Sequence, residues 1–189
     1  MRNLRLEKKG LRGLAIAESF MQNSEKSILA GIVMRRDFVI DGFVLGRATI
    51  SGNDATDEII KMHEKLARPD ISYLLISGII ISMYNMVDIK KIHKKLEIPV
   101  IGVTYQDSPG IEEAIKHHFP DSWKEKISEY NKLGEREKIN LKTSFEVFVR
   151  KEGCELSDVK HLLNDLTLQG SLPEPLRVAQ LLAKTLLHN

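Results

Sequence analysis

Three acidic residues stand where the chain passes between predicted strands and helices, as the ligands of a divalent metal ion would. Glu18 follows a predicted strand over residues 14–16, and Asp54 lies between a predicted strand and a predicted helix. Glu174 stands between two prolines at the start of the last predicted helix. Because Mg²⁺ prefers oxygen ligands and keeps several of its waters, these three carboxylates are candidate metal ligands.

Each of these acids also has a structural interpretation. Asn53 and Asp54 suit a turn and the start of a helix, where acidic residues interact favourably with the helix dipole. Glu18 is an ordinary exposed carboxylate if its strand is not central. Glu174 pairs with Arg177 in a salt bridge at i, i+3, whereas the same arginine otherwise suits phosphate binding.

The segment from Tyr73 to Tyr105 predicts a strand, a loop, a helix and a second strand. Its two strands are continuous apolar runs, which is typical of parallel neighbours that are covered on both faces. Ligands bind such a sheet where its strands end, so we expect a ligand-binding site at the loop from residue 77 to residue 85. The predicted substrate contacts are Ser77, Gly78, Tyr84 and Asn85 in this segment, together with Arg177.

Two basic segments suit contact with a nucleic-acid backbone, so the expected partner is DNA or RNA. One is an N-terminal arm over about residues 1–12, with Arg2, Arg5, Lys8, Lys9 and Arg12. The other is a stripe on the helix after residue 85, formed by Lys90, Lys91, Lys94 and Lys95. A plain solvated face is the alternative for this stripe, since an amphipathic helix has one anyway.

The order of the predicted elements is β, ββ, α, β, α, β, α, followed by a more helical C-terminal third. The first two connections are too short for crossover helices, so the sheet begins as an antiparallel meander and continues with parallel strands. This order predicts an α/β fold with a ribonuclease H-like mixed sheet flanked by helices. We expect a single domain over residues 1–189.

Local signals predict several element ends. Thr56 suits the N-cap of the first helix, and Pro109 suits the first position of a helix over residues 110–119. Residues 134–138 are charged and turn-like, and residues 145–150 alternate as a half-buried strand would.

The composition is that of an ordinary globular protein. Of 189 residues, 42% are hydrophobic and 29% charged, with a formal net charge of +2. This charge is too small to indicate a polyanionic partner by itself. Cys154 is the single cysteine, which excludes an intrachain disulfide and fits a reducing cytoplasm. The longest apolar stretch is shorter than the ~20 residues of a spanning helix, so we expect a cytoplasmic protein without a membrane segment.

Four segments of the chain, taken in their order and spacing, carry a family resemblance. They are AIAESF at 15–20, NDATDEI at 53–59, SGIIISMYNMVDI at 77–89 and SLPEPLRVAQLLA at 171–183. Together they resemble an uncharacterised, largely archaeal protein family that is distantly related to endonuclease V. This resemblance covers about residues 10–187, and it implies the ribonuclease H-like fold and nucleic-acid chemistry of endonuclease V.

The resemblance also implies where the catalytic acids of endonuclease V would fall. Its first aspartate falls at Ala17, beside Glu18, and its Asp-Gly pair falls at Ser77 and Gly78. Its glutamate falls near Asp54, and its last metal ligand precedes the final helix. The resemblance therefore implies an incomplete metal site for Mg²⁺ or Mn²⁺, with the catalytic residues Glu18, Asp54 and Glu174.

Three hypotheses about function follow. In the first, the protein is a divalent-metal-dependent nuclease with a rearranged site, in which Arg177 or a lysine holds phosphate and water is the nucleophile. In the second, it is an inactive binding protein on the same scaffold, with a nucleic-acid or protein partner. In the third, it is an enzyme of another class that uses the loop from Ser77 to Asn85.

Overall fold

A seven-stranded mixed sheet forms the centre of the protein, which we describe from a computed structural model for residue 4 and residues 10–188. A two-stranded hairpin, β5 and β6, lies apart from this sheet. The strands are β1 (Arg12–Ser19), β2 (Lys26–Arg35), β3 (Ile40–Thr49), β4 (Ile71–Ser77), β5 (Ile80–Ile81), β6 (Asn85–Met86), β7 (Val100–Thr104), β8 (Glu137–Asn140) and β9 (Glu146–Glu152).

The strand order in the sheet is β3-β2-β1-β4-β7-β9-β8. Strands β1, β2 and β3 form an antiparallel meander, and β4 and β7 continue from β1 in parallel. This arrangement confirms the predicted mixed sheet. The antiparallel edge made by β9 and β8 extends it, and β8 begins within residues 134–138, which the sequence predicted to be a turn.

The described residues form six helices. They are α1 (Ala55–Leu66), α2 (Ile89–Leu96), α3 (Glu112–His118), α4 (Trp123–Lys132), α5 (Leu156–Leu166) and α6 (Glu174–Leu187). Of these, α1, α2, α5 and α6 pack on the two faces of the sheet. On one face, Ile59 of α1 and Ile92 of α2 pack in a core with Leu74 of β4. On the other face, Leu163 of α5 and Leu176 of α6 pack with the next residue of β4, Leu75.

Strand β4 shows why the sequence dictates this layered arrangement. Five of its seven residues are buried, and they alternate between the two cores. A strand whose side chains are apolar on both faces is stable only between two covering layers. If polar and apolar residues alternated in β4, as they do in a half-exposed sheet, one of the two helix layers would have no apolar strand face to pack on.

Five strands of the described sheet run in the same direction, so their carboxyl ends lie at one edge. These ends are Ser19 of β1, Thr49 of β3, Ser77 of β4, Thr104 of β7 and Asn140 of β8. We call this edge the carboxyl edge. In open α/β sheets, ligands bind outside such strand ends, so a functional site is expected at the carboxyl edge.

Several predicted element ends were wrong, and tertiary contacts explain the difference for β1 and α1. Strand β1 continues to Ser19 through pairing with β2, so Glu18 lies inside the strand and not after it. Helix α1 begins at Ala55 with Asp54 at its N-cap, and the hydroxyl of Thr56 instead accepts a hydrogen bond from the Asp88 amide at 2.9 Å. Helix α3 begins three residues after Pro109.

Most of the predicted basic arm lies outside the described residues, including Arg2, Arg5, Lys8 and Lys9. Arg12 is described, and it begins β1, where its guanidinium pairs with Asp41 and, at 3.2 Å, with Asp70. Among residue 4 and residues 10–188, no helix is both long enough and apolar enough to cross a membrane.

Gly102 of β7 provides a test of how tightly the segment after β4 packs on the sheet. A Cβ atom at Gly102 would lie 2.2 Å from the Cγ2 atom of Ile79, a residue that is only 2% exposed. We expect Gly102→Ala to lower the free energy of unfolding by about 1–3 kcal/mol, as overpacking of a core does. Urea denaturation measures this change.

Gly10→Ala is the matched control, because a Cβ atom at Gly10 meets no atom within 4 Å. It should leave the urea midpoint unchanged. Equal midpoints for the two variants would contradict the proposed close packing of Ile79 on β7.

Candidate functional site

The turn of the β5–β6 hairpin has an unusual backbone conformation. Ser82, Met83 and Tyr84 all adopt left-handed conformations, with φ values of 46°, 55° and 70°. Each such residue costs roughly 1–2 kcal/mol when it is not glycine. Three in succession persist only when the surrounding structure holds them, and such strain is concentrated at functional sites.

Glu18 holds this turn from β1. Its two carboxylate oxygens accept hydrogen bonds from the amide and the hydroxyl of Ser82, each at 2.7 Å. Since the Ser82 hydroxyl donates to Glu18, Ser27 must donate in the 2.6 Å contact between the two serine hydroxyls. The Ser82 carbonyl accepts a hydrogen bond from the Ser51 amide at 2.7 Å. The Glu18 carboxylate is therefore fixed at the carboxyl edge.

Asp54 is held on the other side of the same hairpin. Its carboxylate accepts hydrogen bonds from the amide of Thr49 at 2.9 Å, the hydroxyl of Thr49 at 2.6 Å and the side-chain amide of Asn85 at 2.7 Å. Burial raises the pKa of Asp54, but these hydrogen bonds outweigh it, so the pKa lies below its usual value. Asp54 is consequently ionised at neutral pH.

Asn85 connects Asp54 to the start of α1. Its side-chain nitrogen also donates to the Thr49 carbonyl at 2.8 Å, and its side-chain oxygen accepts from the Ala55 amide at 3.2 Å. Asn85 is fully buried. In this structure it therefore positions Asp54, and its predicted contact with a substrate stays a prediction that requires the hairpin to open.

Lys126 of α4 closes this network, and nothing in the sequence predicted its role. Although it is charged, it is only 7% exposed. Its ammonium group contacts the side-chain oxygen of Asn53 and the carbonyls of Gly52 and Tyr84, the last two at 3.3 and 3.4 Å. No local signal marks its burial, because its hydrogen-bond acceptors are more than 40 residues away along the chain, and the local Glu129 at 3.7 Å is an ordinary i, i+3 partner.

The two positions that lack the expected carboxylates lie side by side. The parallel register pairs Ile16 of β1 with Ile76 of β4, so the next residues, Ala17 and Ser77, are neighbours. The Ser77 hydroxyl accepts a hydrogen bond at 2.8 Å from Gln180 of α6. Ala17 packs in a small apolar cluster that also belongs to the α6 layer. Neutral groups therefore fill the centre of the carboxyl edge on this face.

Glu174 lies in the α6 layer and is bonded to Arg177. Two nitrogens of the arginine donate to one carboxylate oxygen, at 2.8 and 2.6 Å. This contact confirms the salt bridge that the sequence analysis proposed as one alternative. Ala55, next to Asp54, packs in the α1 core, and Leu176, two residues after Glu174, packs in the α6 core, so the two acids belong to opposite layers of the fold.

The donor set does not suit a two-metal site. Within the described part of the chain, no three His, Cys, Asp or Glu residues come together as metal ligands would. Glu18 retains one lone pair on each carboxylate oxygen beyond its bonds to Ser82, and Asp54 is ionised. Both are oxygen donors of the kind that Mg²⁺ or Mn²⁺ takes, and Asp54 already accepts hydrogen bonds on both oxygens from Thr49 and Asn85. The metal role of Glu18, Asp54 and Glu174 stays a prediction.

The remaining predicted substrate residues occupy different positions. Gly78 has a φ of +79°, and its amide donates to the Val103 carbonyl at 2.8 Å, so it directs the chain away from β4. The ring of Tyr84 lies 5.3 Å from that of His118 and 5.6 Å from that of Phe119. Contacts of Ser77, Gly78, Tyr84 and Arg177 with a substrate stay predictions.

A cavity of about 550 Å³ lies beside the Asp54 network, between α1, α2 and α4. We call it the lysine cavity, because Lys90, Lys91 and Lys132 are among the residues that line it. Lys91 pairs with Asp57 at 2.6 Å, as on the solvated helix face that was one alternative for the stripe. For Lys90 and Lys132, no ion pair is formed within the described residues.

Comparison with known proteins extends these observations. A family model described as Endonuclease dU matches residues 9–187. The UPF0215 protein of Pyrobaculum calidifontis is 34% identical over 171 residues, which cover 90% of this chain and 93% of that protein. The crystal structure of a protein of unknown function from Archaeoglobus fulgidus has a TM-score of 0.79 at 26% identity, over 94% of this chain and 99% of that one.

Endonuclease V from Ciona intestinalis, solved in complex with DNA containing an inosine, is a more distant neighbour. It has a TM-score of 0.62 at 15% identity, and the match covers 95% of this chain and 86% of that one. At this identity the likeness concerns the fold, and it confirms the predicted endonuclease V-like, ribonuclease H-like architecture. The resemblance to an archaeal family related to endonuclease V is likewise confirmed, and the chain belongs to the Endonuclease dU family.

Proposed function

We propose that this protein is an endonuclease that cuts a DNA strand next to a deoxyuridine, in a reaction that depends on Mg²⁺ or Mn²⁺. The observation that carries this proposal is the pair of carboxylates, Glu18 and Asp54, held at the carboxyl edge on the two sides of one strained hairpin. The name of the family and the DNA complex of endonuclease V support the choice of substrate.

In this proposal, Asp54 and Glu18 have different roles. Asp54 remains ionised because Thr49 and Asn85 donate to it, so it supplies a fixed negative charge at neutral pH. Glu18 has acceptor capacity left on both oxygens, which suits it to orient a water for attack on phosphorus. If Glu18 and Asp54 held a divalent ion, that ion would supply Lewis-acid polarisation of the phosphate and would lower the pKa of a coordinated water.

The lysine cavity is the proposed path for the strand on this face. It adjoins Asn53 and Thr56, which flank Asp54 in the chain, and it presents Lys90 and Lys132. Ammonium groups beside a cleft attract phosphates and release counterions on binding. Arg177 lies on the other face of the sheet and is half-exposed, so it is a second candidate for a phosphate contact.

A binding protein without nuclease activity is the second candidate. The observation that favours it is the neutral pair Ala17 and Ser77 at the centre of the carboxyl edge, where Gln180 already bonds the serine. Two-metal phosphodiester cleavage stabilises both the attacking and the leaving oxygen, and neutral side chains do not bind the ions that do so.

Strand cleavage separates these two candidates. We expect wild-type protein with Mn²⁺ to cut a deoxyuridine-containing strand faster than an inosine-containing strand or a plain strand. Asp54→Asn and Glu18→Gln should each lower the rate by about 100-fold or more, which corresponds to roughly 2.7 kcal/mol of lost transition-state stabilisation. The measurement is single-turnover cleavage of a labelled strand, with thermal denaturation to verify folding.

Glu113→Gln is the matched control for the loss of one carboxylate, since its side chain is 88% exposed and lies on α3. It should cut at the wild-type rate. Wild-type cleavage by Asp54→Asn would exclude the proposed site. Tight strand binding with no cleavage by the wild-type protein would favour the second candidate.

The ionisation of Asp54 has its own test in the pH dependence of stability. Its folded pKa is below the unfolded value of about 3.9, so its hydrogen bonds stabilise the fold above that pH. This stabilisation is lost as the pH falls through the folded pKa. Thr49→Val removes the hydroxyl donor, so it should raise the pKa of Asp54 and reduce the stability difference between about pH 7 and pH 3.

Carboxyl NMR titration and urea denaturation at the two pH values measure these effects. Thr143→Val is the control, because its hydroxyl donates to the carbonyl of Gly170 and to no titratable group. It should lower stability equally at both pH values. An unchanged pKa of Asp54 in Thr49→Val would show that the Thr49 hydroxyl does not hold the carboxylate ionised.

A further inference from the structure

A second cavity, of about 470 Å³, opens on the other side of α4 from the lysine cavity. It lies between the end of α4, the β8–β9 edge and the loop that follows β7. We call it the arginine cavity. The lining residues that matter here are Ser108, Tyr130, Arg136, Lys138, Phe148 and Arg150. The proposed cleavage reaction uses none of them.

Arg150 is the unusual member of this lining. It is only 8% exposed, yet within the described residues it forms no ion pair with an acid. Its Nε atom donates to the Gly134 carbonyl at 2.8 Å, and its guanidinium lies 5.7 Å from the ring centre of Tyr130. Burial, the main cause, and the nearby charge of Arg136 both lower its pKa. A buried cation without an acid partner is costly, and a bound anion would remove that cost.

Arg136 contributes a second guanidinium to the same cavity. It donates to the carbonyls of Gln106 and Ser108 in the loop after β7, and it lies 5.3 Å from the ring centre of Phe148. Its acidic partner is Asp107, at 3.4 Å, whose side chain is 79% exposed. Because Asp107 is largely exposed, water weakens its pairing with Arg136. Glu135 also lines the cavity, so the three cations of the lining, which include Lys138, exceed its two acids by one charge.

We infer that Arg136 and Arg150 form a phosphate-binding site. Two guanidinium groups present several N–H donors in a fixed geometry that matches phosphate oxygens, and stacking on aromatic rings holds their planes in place. The chemical class of ligand is a phosphate group. Free inorganic phosphate and a nucleic-acid backbone share this chemistry.

The position of the cavity favours the backbone as the natural source, and this part of the inference rests on the proposed function. Phe148 pairs with Thr104, the last residue of β7, at the carboxyl edge that also holds Asp54. A strand that lies in the lysine cavity and crosses the end of α4 would place a phosphate in the arginine cavity. One phosphate contact on each side of α4 would fix the position of the nucleic-acid strand along the protein.

Inorganic phosphate is the direct probe of the site. We expect calorimetry at constant ionic strength to detect phosphate binding by the wild-type protein, with a matching rise in melting temperature. Arg150→Lys and Arg136→Lys keep the charge but lose the planar fork, so each should weaken binding by about tenfold. Arg136→Lys keeps the test usable if the buried Arg150→Lys variant does not fold.

Lys151→Gln is the matched control. It removes one positive charge from β9 at the residue next to Arg150, where the side chain pairs with Glu137. It should bind phosphate as the wild type does. Absence of phosphate binding by the wild type, or equal affinities in the wild type and both arginine variants, would overturn the site.

A salt titration of strand binding then identifies the natural source. For single-stranded DNA, the slope of log Kd against log salt should become shallower by about 0.7 in Arg136→Gln, as expected for one lost phosphate contact. An unchanged slope, together with lost phosphate binding, would overturn the strand as the source. If the slope changes but wild-type protein cuts no strand, the phosphate site stands and the proposed cleavage fails.

Discussion

The left-handed turn at residues 82–84 is the constraint on which the candidate site depends. Three non-glycine residues adopt this conformation because Glu18 accepts both the amide and the hydroxyl of Ser82. Three residues later in the same hairpin, Asn85 bonds Asp54 and the start of α1. The two carboxylates are thus parts of one hydrogen-bonded structure, and moving either of them would release the strain of the turn.

The sheet separates neutral side chains on one of its faces from carboxylates on the other. Ala17 and Ser77 occupy the central strands on the α6 face, where Gln180 and apolar side chains surround them. The carboxylates of Glu18 and Asp54 instead meet the hairpin on the α1 face. The anionic groups at the carboxyl edge therefore lie on the opposite face of the sheet from the neutral pair.

Helix α4 lies between the lysine cavity and the arginine cavity. Its Lys132 lines the lysine cavity, whereas its Tyr130 lines the arginine cavity and stacks with Arg150. Lys126, one turn earlier, is turned inward and binds the hairpin. The net charge of +2 conceals this arrangement, because it averages over the whole chain. A polyanion responds to the local potential of two cavities and not to the sum.

The sequence by itself indicated the mixed sheet, in which an antiparallel meander is followed by parallel strands, and it indicated the family. Continuous apolar strands such as β4 and the short connections between β1, β2 and β3 contain this information locally. Only the tertiary structure decided that Glu18 lies within a strand, that Asn85 is buried, and that Lys126 and Arg150 are buried cations. Those features depend on partners far apart in the chain, and burial and hydrogen bonding between distant residues leave no periodic pattern in the sequence.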